Sequence, residues 1–323
     1  MTCYHPLNAW EREQPNKNGK KSIVFKQEYA GLNAQYLQLP CGQCIGCRLE
    51  RSRQWALRCV HENTLHKESA FLTLTYNEQS LPPDGGLVKE HFVKFMKRYR
   101  TYLVREERGQ KIRYFMCGEY GEKKLRPHYH AIIWGHDFPD KKHYTTTDRG
   151  DRLYRSDIAT RLWTHGFVTI GSVTFESAAY VARYVLKKIR TRNSEKVLDY
   201  LGDRRTHEEV SAYSRCDPET GEAFMVTPEY TTMSRGHGIG QGWYDKYGEE
   251  TYRDDYIIER GIRMQPPRYY DKQYHDIETI KINRKAKATK RNKENTPQRL
   301  RTREKVKRAQ LRFLKRSTTE ELA

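Results

Sequence analysis

Hydrophobic positions along the chain change period in an ordered way, and the changes mark out elements. Ala70 to Tyr76 alternates apolar residues with threonines and is rich in β-branched and aromatic side chains, which predicts a strand. A turn cluster, Leu81 to Gly86, follows. Val88, Phe92, Phe95, Tyr99 and Tyr102 then recur at helical spacing through Val104. Lys111 to Tyr120 predicts a second strand, and Arg126 to Trp134 a third. Ser156 to Thr164 carries Ile158, Ala159, Leu162 and Trp163 in a helical pattern, and Gly166 to Gly171 predicts another strand. Phe175 to Lys188 reads as a helix, with Glu176 in its first turn and lysines in its last, as the helix dipole favours. Nearer the N-terminus, Arg48 to His66 has helical spacing and four arginines. Residues 191 to 225 are polar and turn-rich, an irregular insertion, and Tyr230 to Gly240 ends in a glycine-rich turn.

The third strand carries the first candidate chemistry. Successive strand side chains point to opposite faces, so His128 and His130 share a face, where two imidazoles can hold a divalent ion. Taken alone, such a pair is more often two ordinary strand histidines. The short connection to the preceding strand predicts an antiparallel hairpin, which brings Glu119 alongside as a third, carboxylate ligand. On the later helix Tyr180 and Tyr184 are spaced i, i+4 and so lie on one face. A tyrosine pair at that spacing is usually packing; beside a metal-binding histidine pair it suggests nucleophilic attack on a phosphodiester. A free phenol ionises near pH 10, and Lys187 or Lys188, about a turn beyond Tyr184, is placed to stabilise the phenolate or the phosphate.

A second donor group lies in Cys41-x-x-Cys44-x-x-Cys47, which with Cys3 offers four thiolates. That set suits tetrahedral zinc; an iron–sulfur cluster or free thiols are the other readings. Seven cysteines and no apolar leader argue against a disulfide framework and predict a chain that stays in the cytoplasm where it is made.

Charge identifies the kind of partner. Sixty Lys and Arg face 41 Asp and Glu, a net charge of +19, which points to a polyanion. Between Lys281 and Arg316 there are 16 basic and 2 acidic residues, so much of the excess sits in one C-terminal segment. That segment reads as a solvated, partly disordered arm, with Val306, Ala309, Phe313 and Leu314 as a thin stripe on a basic helix. Twenty-three tyrosines suit base stacking as well as packing. The organisation expected is a Cys-rich segment over 1–66, a nuclease core over 67–190, its C-terminal part with the glycine-rich loop over 191–280, and a basic tail over 281–323.

Phe71 to Thr75, Arg126 to His130 and Tyr180 to Lys188 resemble, in order, the three motifs of the HUH endonucleases, the rolling-circle replication initiators. Cys41 to Arg48, Gly118 to Gly121 and Met233 to Gly240 resemble the initiators of small icosahedral single-stranded DNA phages, the Microviridae, near the gokushovirus branch. The resemblance covers about residues 1–245. It implies an α+β fold, a central antiparallel sheet of about five strands with flanking helices. It implies a Mg or Mn ion on His128 and His130, with Tyr180 and Tyr184 as nucleophiles of a two-tyrosine enzyme. The product expected is a 5′-phosphotyrosine with a free 3′-OH, in the host bacterial cytoplasm. His237 stands where related sequences are expected to have proline.

Single-stranded DNA and phage origin DNA are the expected partners. No Gly-x-x-x-x-Gly-Lys-Ser/Thr loop is present, so strand unwinding is expected to need a host helicase and the host replication machinery. The rival readings are an HUH transposase or relaxase, which shares the chemistry, and a non-catalytic basic DNA-packaging protein, which leaves the histidine and tyrosine pairs without a role. A histidine-triad hydrolase is disfavoured, because the alternation stops at two histidines.

Overall fold

In a computed structural model, the described residues are 3–107, 109–121, 124–148, 150–187, 196–198, 204–206, 213–216, 220–292 and 295–312. They fall into two compact units, one from Ser52 to His275 and the other joining the N-terminal segment up to Arg51 with the chain from Asp276 onward. This division differs from the consecutive segments expected from composition.

The larger unit is built on a seven-stranded sheet, antiparallel throughout. Its strands, numbered within a count that begins with three in the smaller unit (β1 to β3, below), are β4 (Ser69–Tyr76), β5 (Arg113–Tyr120), β6 (Pro127–Trp134), β7 (Lys142–Thr146), β8 (Arg152–Arg155) and β9 (Gly166–Gly171). Two short hairpins follow, β10 (Lys196–Leu198) with β11 (Arg204–Thr206) and β12 (Ser214–Cys216) with β13 (Ala223–Met225), before the edge strand β14 (Tyr230–Met233). The sheet order is β14-β5-β6-β4-β9-β8-β7. The sheet is thus wider than the five strands expected, because Lys142–Thr146 and Arg152–Arg155 add a hairpin at one edge. Their short, polar, largely exposed stretches carry little apolar alternation to reveal them.

β6 is buried on both faces, which accounts for its unbroken apolar run. Tyr129, Ala131 and Ile133 face helices α2 (Lys89–Glu106) and α3 (Asp157–Trp163). Ile132 and Trp134 face α1 (Ile45–Asn63) and α4 (Phe175–Lys187) through Ala56, Cys59, Ala178, Val181 and Ala182. The small residues of α4 let it approach the sheet closely, and Trp55 of α1 stacks on Phe115 of β5 at 5.1 Å. Emptying such a site, as in Trp134→Ala, costs about 3–5 kcal/mol.

Capping follows from local chemistry. The Ser156 hydroxyl accepts from the Ala159 amide to start α3. Thr174 and Ser177 cap each other's backbone amides to start α4. Val88 offers no side chain to cap α2, and the Tyr129 hydroxyl of β6 does so instead, accepting from Val88 N and donating to Val88 O.

The glycine-rich turn leads into α5 (Gln241–Asp254), which is followed by the hairpin β15 (Ile257–Glu259) and β16 (Ile262–Met264) and by α6 (Arg268–Asp271). Gly240 sits at φ +78°, where a Cβ would stand 2.5 Å from the Tyr270 hydroxyl. Its amide donates to Glu62 Oε2 at 2.7 Å, and the Ile239 carbonyl accepts from Arg58 at 2.9 Å. That amide therefore serves to fix the loop against α1, which favours the plain-loop reading over a phosphate cradle.

The smaller unit contains a three-stranded antiparallel sheet, β2 (Lys21–Val24), β1 (Leu7–Pro15) and β3 (Gln35–Leu39) in that order. Local pattern gives little sign of it, because most of its positions are exposed. The basic segment is helical through Arg312, as α7 (Ile277–Asn292) and α8 (Pro297–Arg312). Leu300 on α8 is buried, and Glu304 pairs with His5 at 2.5 Å and with Arg308 at 2.9 Å. The described part of the tail is thus more ordered than a solvated arm, while Phe313 and Leu314 lie outside the described residues.

Candidate active site

Cross-strand register assembles the site. Glu119 on β5 is the direct partner of His128 on β6, and His130 lies two residues along on the same face. Glu119 Oε1 is 2.9 Å from His128 Nε2 and 2.7 Å from His130 Nε2. All three side chains are buried. The hairpin expected from the short connection between strands thus brings all three candidate ligands together.

Gly118 precedes the carboxylate for a steric reason. A Cβ there would meet the Tyr230 ring at 2.9 Å and Leu87 at 3.1 Å, so a side chain would push β5 away from its neighbours.

Two groups orient the imidazoles. His128 Nδ1 lies 3.2 Å from the Arg126 carbonyl, which can only accept, so that nitrogen carries the proton. A neutral His128 then turns the lone pair of Nε2 toward the carboxylate. Two acceptors facing each other at 2.9 Å need a cation or a proton between them. The Thr73 hydroxyl lies 3.0 Å from His130 Nδ1 and holds that ring, while Phe71 stacks on it at 5.7 Å.

Burial alone pushes the Glu119 carboxyl up, but His130 and His128 outweigh it and hold the group low, at about 2. Its second oxygen, Oε2, is buried with no hydrogen-bond partner among the described residues. The donors fit a hard divalent ion. An octahedral ion with bonds of about 2.0–2.1 Å spaces adjacent ligands about 3 Å apart, close to the distances found.

Tyr180, on α4, donates its hydroxyl to Glu119 Oε1 at 2.8 Å and packs edge-on against His130 at 5.0 Å. The Ser52 hydroxyl donates to the Ala179 carbonyl at 3.0 Å, fixing α4 at this point. Tyr184 and Lys187 continue the same helix, with side chains outside the described residues, and Lys188 lies outside them altogether. Thr73 escaped the reading of the sequence, although its place between Phe71 and Thr75 in the alternation put it on the ligand face.

The four cysteines converge in the smaller unit. Their sulfurs all lie within 4.8 Å of one another, with Cys3–Cys44 at 3.9 Å and Cys41–Cys47 at 4.0 Å. A tetrahedral zinc site with bonds of about 2.3 Å has sulfurs about 3.8 Å apart. The amides of Tyr4, Cys41 and Cys44 donate to Cys44, Cys3 and Cys41 sulfurs respectively, each at 3.3 Å. These bonds favour thiolates, and the Cys44 thiol is held low, first by its bond with Cys47.

A family model for the replication-associated protein ORF2 and its kin matches residues 69–189, from the first strand of the larger sheet to the tyrosine-bearing helix. That span encloses Glu119, His128, His130 and Tyr180, and places the chain in the class of replication-associated proteins. More narrowly, the chain belongs to the replication initiators of the Microviridae. It is 33% identical over 278 residues to replication-associated protein VP4 of Bdellovibrio phage phiMH2K, covering 85% of this chain and 77% of that one. It is 31% identical over 291 residues to replication-associated protein ORF2 of Spiroplasma virus 4, covering 84% and 80%. Replication-associated protein ORF4 of Chlamydia phage 1 is 37% identical over 236 residues, covering 72% and 52%. No solved structure matches the chain. Among the described residues, no helix is long and apolar enough to cross a membrane.

Proposed function

We propose that this initiator is an HUH endonuclease that nicks the single-stranded phage origin by tyrosine transesterification. The observation that carries the reading is the placement of the Tyr180 hydroxyl, 2.8 Å from a buried carboxylate shared by His128 and His130. Glu119, His128 and His130 would hold a Mg or Mn ion, which when bound supplies Lewis-acid polarisation of the scissile phosphate.

The chain's own residues do the rest. Tyr180 attacks the phosphorus; the Tyr O–P bond forms as the P–O3′ bond breaks. The phenol loses its proton, and the departing 3′ oxygen gains one. The 5′ end stays on the protein as a phosphotyrosine, and the free 3′-OH serves as primer. Thr73 and the Arg126 carbonyl keep both imidazoles aimed at the ion, and Ser52 keeps α4 seated. Tyr184, one turn along, is the second nucleophile, and Lys187 and Lys188 stabilise phosphate charge. Rejoining of the displaced strand by the freed 3′-OH follows the same exchange in reverse. A host helicase and the host replication machinery complete the cycle in the host cytoplasm.

The packaging alternative gives the buried carboxylate and histidines no task. A transposase or relaxase would use the same chemistry, but the relatives are all replication-associated proteins. The deciding experiment is incubation with labelled single-stranded phage DNA and Mn or Mg, followed by denaturing electrophoresis. A covalent protein–DNA band that needs the metal is expected; its absence overturns the reading.

The cysteine group is proposed to hold one structural zinc. A cubane iron–sulfur cluster is disfavoured by the spacing, because each of its cysteines binds a different iron and the sulfurs spread further apart.

A further inference from the structure

We propose that Phe167, Arg155 and Tyr144 form a stacking platform for the bases of single-stranded DNA beside the cleaved phosphate. The inference rests on the nicking reading for its choice of substrate and deepens it by saying where the strand lies.

Register supplies the first observation. Glu119 pairs with His128, His128 with Thr75, and Thr75 with Phe167, so the four residues form one transverse row across β5, β6, β4 and β9. Residues directly opposite in a sheet point to the same face. With strands about 4.8 Å apart, the Phe167 backbone lies about 10 Å from that of His128. Phe167 is 53% exposed, and α4 lies over β14, β5 and β6, toward the other edge of the sheet.

Arg155 extends the row. It alternates with Leu153, whose side chain lies against Gly171. Gly171 pairs with Phe71, which stacks on His130, so Arg155 is on the ligand face too. Its guanidinium stands 3.6 Å from the Tyr144 ring centre and 5.9 Å from that of Phe167. Tyr144 is itself 38% exposed.

A single exposed aromatic residue on a protein surface is ordinary. Here two rings and a planar cation continue the row that holds the metal ligands. Between residues 141 and 169 there are six Lys or Arg against three Asp, which suits a polyanion. Stacking on rings needs unpaired bases and little sequence, and a guanidinium between rings can stack or contact phosphate. Duplex DNA keeps its bases in their own stack and cannot use such a surface.

The test measures binding of the full chain in chelator, by fluorescence anisotropy with labelled oligo(dT), an abasic oligonucleotide of the same length, and a duplex. Phe167→Ala and Tyr144→Ala are each expected to weaken oligo(dT) binding roughly 5- to 150-fold, and abasic or duplex binding by no more than about 2-fold. Phe167→Trp should bind oligo(dT) like the native chain, which excludes misfolding as the cause. Oligo(dT) binding unchanged in both alanine variants, or an equal loss on all three probes, overturns the proposal. The two readings separate cleanly. Stacking losses in a chain that never forms a covalent adduct would remove the nicking reading and leave the platform. Nicking by a chain whose alanine variants bind normally would do the reverse.

Discussion

The Tyr180 hydroxyl donates to Glu119, the same carboxylate that faces both histidines. Nucleophile and proposed metal ligand are thus one hydrogen bond apart, although 61 residues separate them in the chain. Replacing Tyr180 by Phe removes the oxygen and keeps the ring against His130. Peptide mapping of the native adduct should place the first phosphotyrosine on Tyr180. In Tyr180→Phe the adduct should move to Tyr184, and the double Phe variant should form none. Circle release over repeated rounds should fail in each single variant. Normal circle release by Tyr180→Phe would make Tyr180 a packing residue.

His128→Ala and His130→Ala should each abolish cleavage while single-stranded DNA binding in chelator persists. Thr73→Val keeps the shape of the strand and removes the hydroxyl that holds His130. Loss of such an outer partner typically costs about 10- to 100-fold in metal affinity or activity. The half-saturating Mn concentration should therefore rise in Thr73→Val, with cleavage restored at high Mn. Unchanged metal dependence would show that the hydroxyl does not position the ring.

Protein purified without oxygen should contain one equivalent of zinc, lost together with structure in the smaller unit when Cys44 is replaced by Ser. Structural zinc contributes on the order of 10–16 kcal/mol of apparent binding energy in small domains. Elemental analysis and far-UV circular dichroism with and without chelator give the answer. A metal-free chain with native dichroism would refute the site.

Stability should fall in mild acid. His61 is buried between the Trp243 and Tyr270 rings, and burial holds it low, at about 3. The folded state therefore keeps it neutral, while the unfolded chain protonates it below about pH 6.5. The sign follows: the unfolded state binds more protons, so stability drops as pH falls. From about pH 7 to about pH 5 this one group should remove about 2 kcal/mol. Urea unfolding at both pH values should show the loss, reduced by that amount in His61→Phe. An equal pH dependence in the two proteins would exclude His61 as its source.

The basic helices can be tested without truncation, which would also remove buried Leu300 and the Glu304–His5 pair. Arg301 and Lys305 are exposed on α8. Changing both to Gln should weaken DNA binding at low salt and flatten the salt dependence by about 0.7 per lost phosphate contact on a single strand. Cleavage of saturating substrate should persist. An unaltered slope would place DNA elsewhere.

Much of the larger unit was legible because its signals are local. The alternation of β4, the doubly apolar run of β6 and the capped, small-residue face of α4 each announce themselves within a few residues. The Glu119 assignment needed only the short connection between two strands. The β7–β8 hairpin was invisible because its outer positions face water and need no apolar period. The small sheet over Leu7–Leu39 escaped for the same reason, and because Cys41 to Cys47 drew the whole segment into one reading. Thr73 and Ser52 act through hydrogen bonds to partners 57 and 127 residues away, which no local pattern encodes.

The transverse row through Glu119, His128, Thr75 and Phe167 also makes the site a gauge of correct folding. Sliding β6 by one residue against its neighbours would turn Tyr129 to the ligand side and send both imidazoles into the opposite core. Such a chain could remain compact, yet it would bring no three donors to a point and leave Tyr180 facing a phenol. Errors of strand pairing are therefore silenced at the chemical step. A misregistered initiator should be inert toward DNA, and would not cut it at the wrong place.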